Sequence, residues 1–277
     1  MGRKLLFSVL AGLILILICV YVQPVSAELL GCDNTSGNLF SIDEATGAST
    51  LIGTMPQTMT ECVYDNLNLE LYAQGSDGSF TLYRIDPATG ASLGSVSTGA
   101  ALNGMEFVNG TLYATAITCS LCNSDLVTVN PSTGVLTTIG ATGFGPVSGL
   151  AYDNITGIMY GVTGGGGPAN LLTINLSNGA GSIVGATGLD RIGSIRFGNN
   201  GVLYGGLTSN ASTFPNYLIT INKSTGAATP VGNTGFSITG LALIALTVPT
   251  MNEWGMIIFV ALAGLGSIYY IRKHRRV

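Results

Sequence analysis

The sequence is short of charge, of basic residues and of histidine, and each shortage removes a class of function. Only 9% of the 277 residues are Asp, Glu, Lys or Arg, which excludes a charged helical bundle or a coiled coil. The single histidine, His274, sits in the extreme C-terminal tail. The rest of the chain therefore cannot build a Ser-His-Asp triad, a His-ligated metal site or most general-base schemes. Between residues 28 and 247, four bases (Arg84, Arg191, Arg196, Lys223) stand against thirteen acids, a net charge of −9. Such a body disfavours nucleic acid and anionic membrane surfaces as partners. The glycine run Gly164–Gly167 has no Lys-Ser/Thr after it and no helix pattern, so it is a loop and not a phosphate cradle. No cofactor and no metal are expected.

Glycine, by contrast, is abundant, at 40 residues, and it recurs with a period. An "LY" element occurs at Leu71-Tyr72, Leu112-Tyr113, Met159-Tyr160 and Leu203-Tyr204, with Leu29-Leu30 as a degenerate first copy. Each is followed by an Asp or Asn with Gly four residues on: Asp43/Gly47, Asp86/Gly90, Asn130/Gly134, Asn175/Gly179 and Asn222/Gly226. Successive Asp/Asn positions lie 43, 44, 45 and 47 residues apart. Segments such as "DPATG" and "NPSTG" suit tight hairpins, with the Asx side chain capping the turn and Gly at positive φ. Each unit holds four short alternating strands, the pattern of a β-propeller blade. The alternative, a stacked β-solenoid, usually has shorter coils. The reading is an all-β, five-bladed propeller over residues 28–247. The last strand, "GLALIAL", is expected to complete the first blade and hide its edge. The repeat resembles, in pattern only, the quinoprotein-like and YVTN families of bacterial propellers. Those families include enzymes and non-enzymes, so the resemblance does not settle activity.

The connections divide into two kinds. The "DPATG" hairpins and the "DN…G" links are short and uniform. The other two sets, including "QGSDGSF", "TAITCSLCNSD" and "LTSNASTFPNY", are irregular and should share the opposite face, where a ligand site is expected. Glu61, Asp77, Asp190 and Arg191 are the candidate ligand contacts, with Glu61 projecting toward the channel mouth. Glu106 and Arg196 stand where other copies have Val63, Ala151 and Ala242, and are expected to be buried and hydrogen-bonded.

Both ends carry targeting signals. Residues 1–27 have a basic pair, an apolar run and the small residues of Val25-Ser26-Ala27, which predict a secretory signal helix, with an uncleaved anchor as the alternative. Cys32, Cys62, Cys119 and Cys122 remain after it. In an exported chain they predict disulfides, Cys32–Cys62 and Cys119–Cys122, rather than a four-cysteine metal site. Residues 248–277 read "VPTMNEWG", then Trp254 to Ile271, 18 uncharged residues long enough to span a bilayer as a helix, then "RKHRR". The bases Arg272, Lys273, Arg275 and Arg276 should stay cytoplasmic.

This order of motif, span and basic tail resembles the IPTL-type C-terminal sorting signal, a relative of the PEP-CTERM signals. Pro249, Thr250, Glu253, Trp254 and Gly255 match its pattern, while Val248 and Met251 replace its usual Ile and Leu. The resemblance implies cutting by an exosortase-like membrane transpeptidase and release or transfer to the cell surface; a plain single-pass anchor is the alternative. The functional expectation is a cell-surface or extracellular binding or structural protein, its partner a surface polysaccharide or envelope protein. The enzymatic alternative is a polysaccharide lyase or glycosidase using carboxylates.

Overall fold

The computed structural model describes residues 27–117 and 123–244. The expected terminal signals, including the residues read as a sorting motif, and Cys119 and Cys122 lie outside the described residues. Twenty strands, and no helix, occur among those described. The first three are β1 (Glu28–Cys32), β2 (Asn38–Ile42) and β3 (Ser49–Thr54). Next come β4 (Met59–Asp65), β5 (Glu70–Gly75), β6 (Thr81–Ile85) and β7 (Ser92–Ser97). They are followed by β8 (Ala101–Val108), β9 (Thr111–Ile117), β10 (Asp125–Val129) and β11 (Leu136–Ala141). The fourth set is β12 (Val147–Asp153), β13 (Ile158–Thr163), β14 (Pro168–Ile174) and β15 (Gly181–Asp190). The last is β16 (Ile192–Phe197), β17 (Leu203–Leu207), β18 (Tyr217–Ile221) and β19 (Ala228–Asn233), with β20 (Gly240–Ile244) left over.

They form five antiparallel sheets of four strands: a five-bladed β-propeller. Blades 2 to 5 are sequential meanders, whereas blade 1 has the order β20-β1-β2-β3. Strand β20 pairs with β1 over five positions, from Glu28 opposite Ile244 to Cys32 opposite Gly240. The closing strand thus comes from the far end of the domain, as its sequence predicts, and the ring presents no open first edge.

The "LY" element owes its regularity to strand geometry. Neighbouring strand residues point to opposite faces, so in each second strand the Leu-type residue meets the preceding blade and the Tyr-type residue the following one. Leu71 packs with Leu30, Leu39 and Cys62 of the blade 1–2 core, and Tyr72 with Met105 and Leu112 of the blade 2–3 core. Met159 and Tyr160 divide in the same way between two cores. In the degenerate copy, Leu29 lies in the blade 5–1 core with Tyr204 and Leu241, and Leu30 lies in the blade 1–2 core. Five cores therefore sit at five interfaces. Burying one such leucine is worth about 1.5–3 kcal/mol.

The hairpins behave as their residues dictate. Asp43 Oδ1 accepts from the backbone N–H of Ala45 and Thr46 at 2.9 Å each, and Gly47 takes φ 74°. Asn130 and Asn222 repeat this with Gly134 and Gly226. Each hairpin glycine then meets the outermost strand of the preceding blade. A Cβ on Gly179 would come within 2.3 Å of the Gly140 carbonyl oxygen, one on Gly226 within 2.5 Å of that of Gly185, and one on Gly47 within 2.7 Å of that of Gly232. This third contact joins blade 5 to blade 1, so the outer rim closes as well as the inner ring.

Candidate functional site

The five innermost strands β20, β4, β8, β12 and β16 surround the axis. In β4, β8, β12 and β16 the pairing shifts by one residue near the start, at Met59/Glu61, Leu102/Gly104, Val147/Gly149 and Ile192/Ser194. The residue after each bulge, with Gly240 in β20, forms a first tier around the axis: Glu61, Gly104, Gly149, Ser194 and Gly240. The strands approach closely here. A Cβ on Gly104 would lie 2.8 Å from the Gly149 backbone, and one on Gly149 2.5 Å from the Ile195 nitrogen. Only small residues fit at most positions of this tier, and Glu61 occupies the space they leave.

Glu61 is completely buried. Its carboxylate accepts from the Cys62 N–H at 3.0 Å and the Leu241 N–H at 3.2 Å, and the Ser194 hydroxyl lies 2.9 and 3.0 Å from its two oxygens. Burial holds its pKa well above the usual carboxylate range, with the Cys62 thiol adding to this; Arg196 and the hydrogen bonds pull the other way. The sequence reading placed this side chain at a ligand-facing mouth. The structure corrects that: Glu61 ties blades 1, 2 and 5 together inside the ring, out of reach of a ligand.

Two residues along, the second tier is Val63, Glu106, Ala151, Arg196 and Ala242. Arg196 Nη1 pairs with Glu106 Oε2 at 2.5 Å, while its Nε and Nη2 donate to the Leu241 and Met105 carbonyls at 2.9 Å. Glu106 also accepts from the Phe107 and Tyr152 N–H groups at 2.9 and 3.0 Å. Burial raises the Glu106 pKa, with Arg196 opposing it. As expected, both residues are buried and fully bonded. The pair crosses the axis and spans blades 1, 3, 4 and 5.

Below this ion pair the ring opens into a depression of about 610 Å³, with Glu106 and Arg196 at its floor. It is surrounded by the uniform "DN…G" links and not by the irregular loops. The wall repeats with the blades: Tyr64, Phe107, Tyr152 and Phe197 share one position, and Leu243 takes it in blade 1. Asn66, Asn109, Asn154 and Asn199 follow two residues later, all exposed. Asp65 and Asp153 are turned inward and cap their own links. Asp65 accepts from the Leu67 N–H at 2.9 Å and the Asn68 side chain at 2.7 Å. Asp153 accepts from the Ile155 N–H at 3.0 Å and pairs with Lys223 at 2.7 Å. Desolvation pushes the Asp153 pKa up, but Lys223 and the N–H groups prevail and hold it at about 2. The signal for this wall was present in "YDN", "FVN", "YDN" and "FGN", where uniformity suggested only strand ends.

The candidate residues of the irregular face lie on separate blades. Asp77, in the β5–β6 loop, is exposed and accepts from the Ser79 N–H at 2.9 Å. Asp190, at the end of β15, accepts from the Ser212 N–H and hydroxyl at 3.0 and 2.7 Å, which lower its pKa. Arg191 follows with φ 51°, its guanidinium over the glycine loop, 3.1 Å from where a Gly166 Cβ would be. Cys32 of β1 and Cys62 of β4 are buried free thiols facing each other across the blade 1–2 boundary. Burial, and then the hydrogen bond to Cys62, raise the Cys32 pKa. Among the described residues no three His, Cys, Asp or Glu side chains converge as a metal site.

No protein-family model matches the chain. No curated protein matches it either. Solved structures do. A chain of a nidogen/laminin complex superimposes with TM-score 0.54 at 13% identity, covering 80% of this chain and all of that one. A gluconolactonase from Xanthomonas campestris gives TM-score 0.50 at 12% identity, covering 77% of this chain and 74% of the other. At such identities the likeness is one of fold: this chain is a β-propeller.

Proposed function

We propose that this chain is an exported cell-surface protein whose propeller serves as a binding or structural module. Its C-terminal signal is processed by an exosortase-like transpeptidase, which leaves the propeller at the surface or in the extracellular matrix. The observation that carries the proposal is where the domain ends. Glu28 and Ile244 are paired neighbours on β1 and β20, so both ends of the propeller leave by the face of the uniform links. The irregular loops, with Asp77, Asp190 and Arg191, lie on the opposite face of the propeller. There it meets a surface polysaccharide or an envelope protein. The sequence after Ile244 supplies the tether, with the motif at Val248–Gly255, the uncharged run and the basic tail in sorting order.

Binding is favoured over carboxylate catalysis because Glu61, Asp65, Glu106 and Asp153, the acids of the inner strands, are already committed to backbone and side-chain partners. A general acid or nucleophile needs an oxygen open to substrate. Outside the cytoplasm the facing Cys32 and Cys62 thiols close as a disulfide, giving two electrons and two protons to a thiol–disulfide oxidant.

The test uses the native host. Trp254→Ala and Pro249→Ala should leave the full-length chain in the inner membrane, while the unaltered chain reaches the surface or medium. Equal distribution of variant and parent would refute sorting through this motif.

A further inference from the structure

We infer that the depression on the uniform-link face is a binding site for a neutral oligosaccharide, separate from the irregular face. The inference needs neither export nor sorting. Its volume, about 610 Å³, falls within the roughly 300–1,000 Å³ of ligand sites.

The charge pattern selects the class of ligand. The lining contains three carboxylates, Asp65, Glu106 and Asp153, and one guanidinium, Arg196. With Arg196 offsetting Glu106 and Lys223 offsetting Asp153, Asp65 leaves one net negative charge, and neither cation is left for a polyanion such as a uronate chain. Cations are no better served, because each carboxylate is turned onto partners of its own: Asp65 onto its link, Asp153 onto Lys223, Glu106 onto Arg196. What the wall still offers is neutral. Exposed asparagines stand at equivalent points of four blades; Asn66 donates to the Leu243 carbonyl at 3.4 Å, and the amides of Asn109, Asn154 and Asn199 can each both donate and accept. Between them rise two aliphatic side chains, Leu67 of blade 2 and Ile155 of blade 4, at 71% and 87% exposure. The intervening link of blade 3 is only the tight Asn109-Gly110 turn, and Leu67 leans over it, its Cδ1 3.3 Å from where a Gly110 Cβ would be. A pyranose chain matches such a wall, since it carries hydroxyls at its edges, C–H groups on its faces and no charge.

The experiment uses the full-length chain in a zwitterionic detergent. Calorimetric titrations with maltohexaose, cellohexaose, mannohexaose and hexagalacturonate are run on three forms: the unaltered protein, the double variant Leu67→Ser/Ile155→Ser, and Asp190→Ala. The two replaced aliphatics are solvent-exposed, and melting curves check that the fold is retained. At least one neutral hexamer should bind. The double variant should weaken it at least tenfold, and Asp190→Ala should leave it unchanged. The inference is overturned if no neutral hexamer binds, if hexagalacturonate binds more tightly, or if the double variant binds as the parent does. Loss of binding in Asp190→Ala alone would move the site to the irregular face. That result would support the surface-binding proposal while removing this one.

Discussion

The outer rim provides the most quantitative test of why the repeat has its glycines. In blades 1, 3, 4 and 5 the residue paired with the buried leucine of the third strand is a glycine: Gly53 with Leu39, Gly140 with Leu126, Gly185 with Leu171, Gly232 with Leu218. A Cβ on Gly232 would lie 1.8 Å from the Thr46 carbonyl oxygen, and one on Gly185 2.0 Å from that of Thr225. The obstacle in each case is backbone, which cannot rotate away as a side chain can. To restore ordinary contact the neighbouring hairpin must retreat by more than an ångström, and for Gly232 that hairpin is held by its own 2.8 Å bond from Gly47 N–H to the Asp43 carbonyl. Overpacking of this kind typically costs about 1–3 kcal/mol, occasionally more. For a domain of this size each kcal/mol lowers Tm by roughly 2–4 °C. Gly232→Ala and Gly185→Ala should therefore each lower Tm by about 2–12 °C in a calorimetric scan of the full-length chain. Gly167→Ala is the control, since no atom lies within 4 Å of its Cβ position. It should move Tm by less than about 2 °C. If the two rim variants melt with the control, the blades do not meet backbone to backbone at the rim, and the account of the repeat is wrong.

Three further outcomes follow from the interior and the links. Glu61 keeps its proton to higher pH in the fold than in the unfolded chain, so its contribution to stability is largest at low pH. That contribution is lost as pH rises from the ordinary glutamate range through the raised native value. Glu61→Gln should flatten this slope and be at least as stable as the parent at pH 8; a variant much less stable at pH 8 would show that the carboxylate is charged and needed. Alkylation of protein recovered from outside the cytoplasm of its native cells, under denaturing, non-reducing conditions, should leave Cys32 and Cys62 unmodified, and labelling of both would refute the proposed disulfide. Lys223→Met should bring the Asp153 titration midpoint up from about 2 toward the ordinary aspartate range, read by NMR. An unchanged midpoint would mean that the link N–H groups alone set it.

Strand number, blade number and the closing strand were legible because they are written in periodic features. The Leu/Tyr pair divides between two interfaces in every blade, and the Asx–Gly hairpin must recur wherever a hairpin abuts the neighbouring blade. The repeat position of Glu61, shared with Gly104, Gly149, Ser194 and Gly240, points it at the channel but does not give its depth: only the closed ring shows that neighbouring strands approach closely enough there to bury it. The bulge at the start of each inner strand, between Met59 and Glu61 in blade 2, likewise shows only in the paired register. Blade 2 hides a similar irregularity at its rim. There Val96 takes the place of the rim glycine opposite Leu82, and the bulge moves to Arg84/Ile85. The depression was missed for a different reason. Its wall consists of uniform residues such as Tyr152 and Asn154, which look structural one blade at a time. Their convergence at one mouth exists only once the ring closes. The carboxylates that looked available, Glu61 and Asp190, hold strands and loops together through Ser194 and Ser212.

The central claim is that the propeller is exported and freed from its tether. Mass spectrometry of the C-terminal peptide, on protein recovered from surface, medium and inner-membrane fractions of the native cells, tests it most directly. A surface or medium form ending between Val248 and Gly255 is expected. A chain recovered wholly from the inner membrane with its Arg272–Val277 end intact would contradict it.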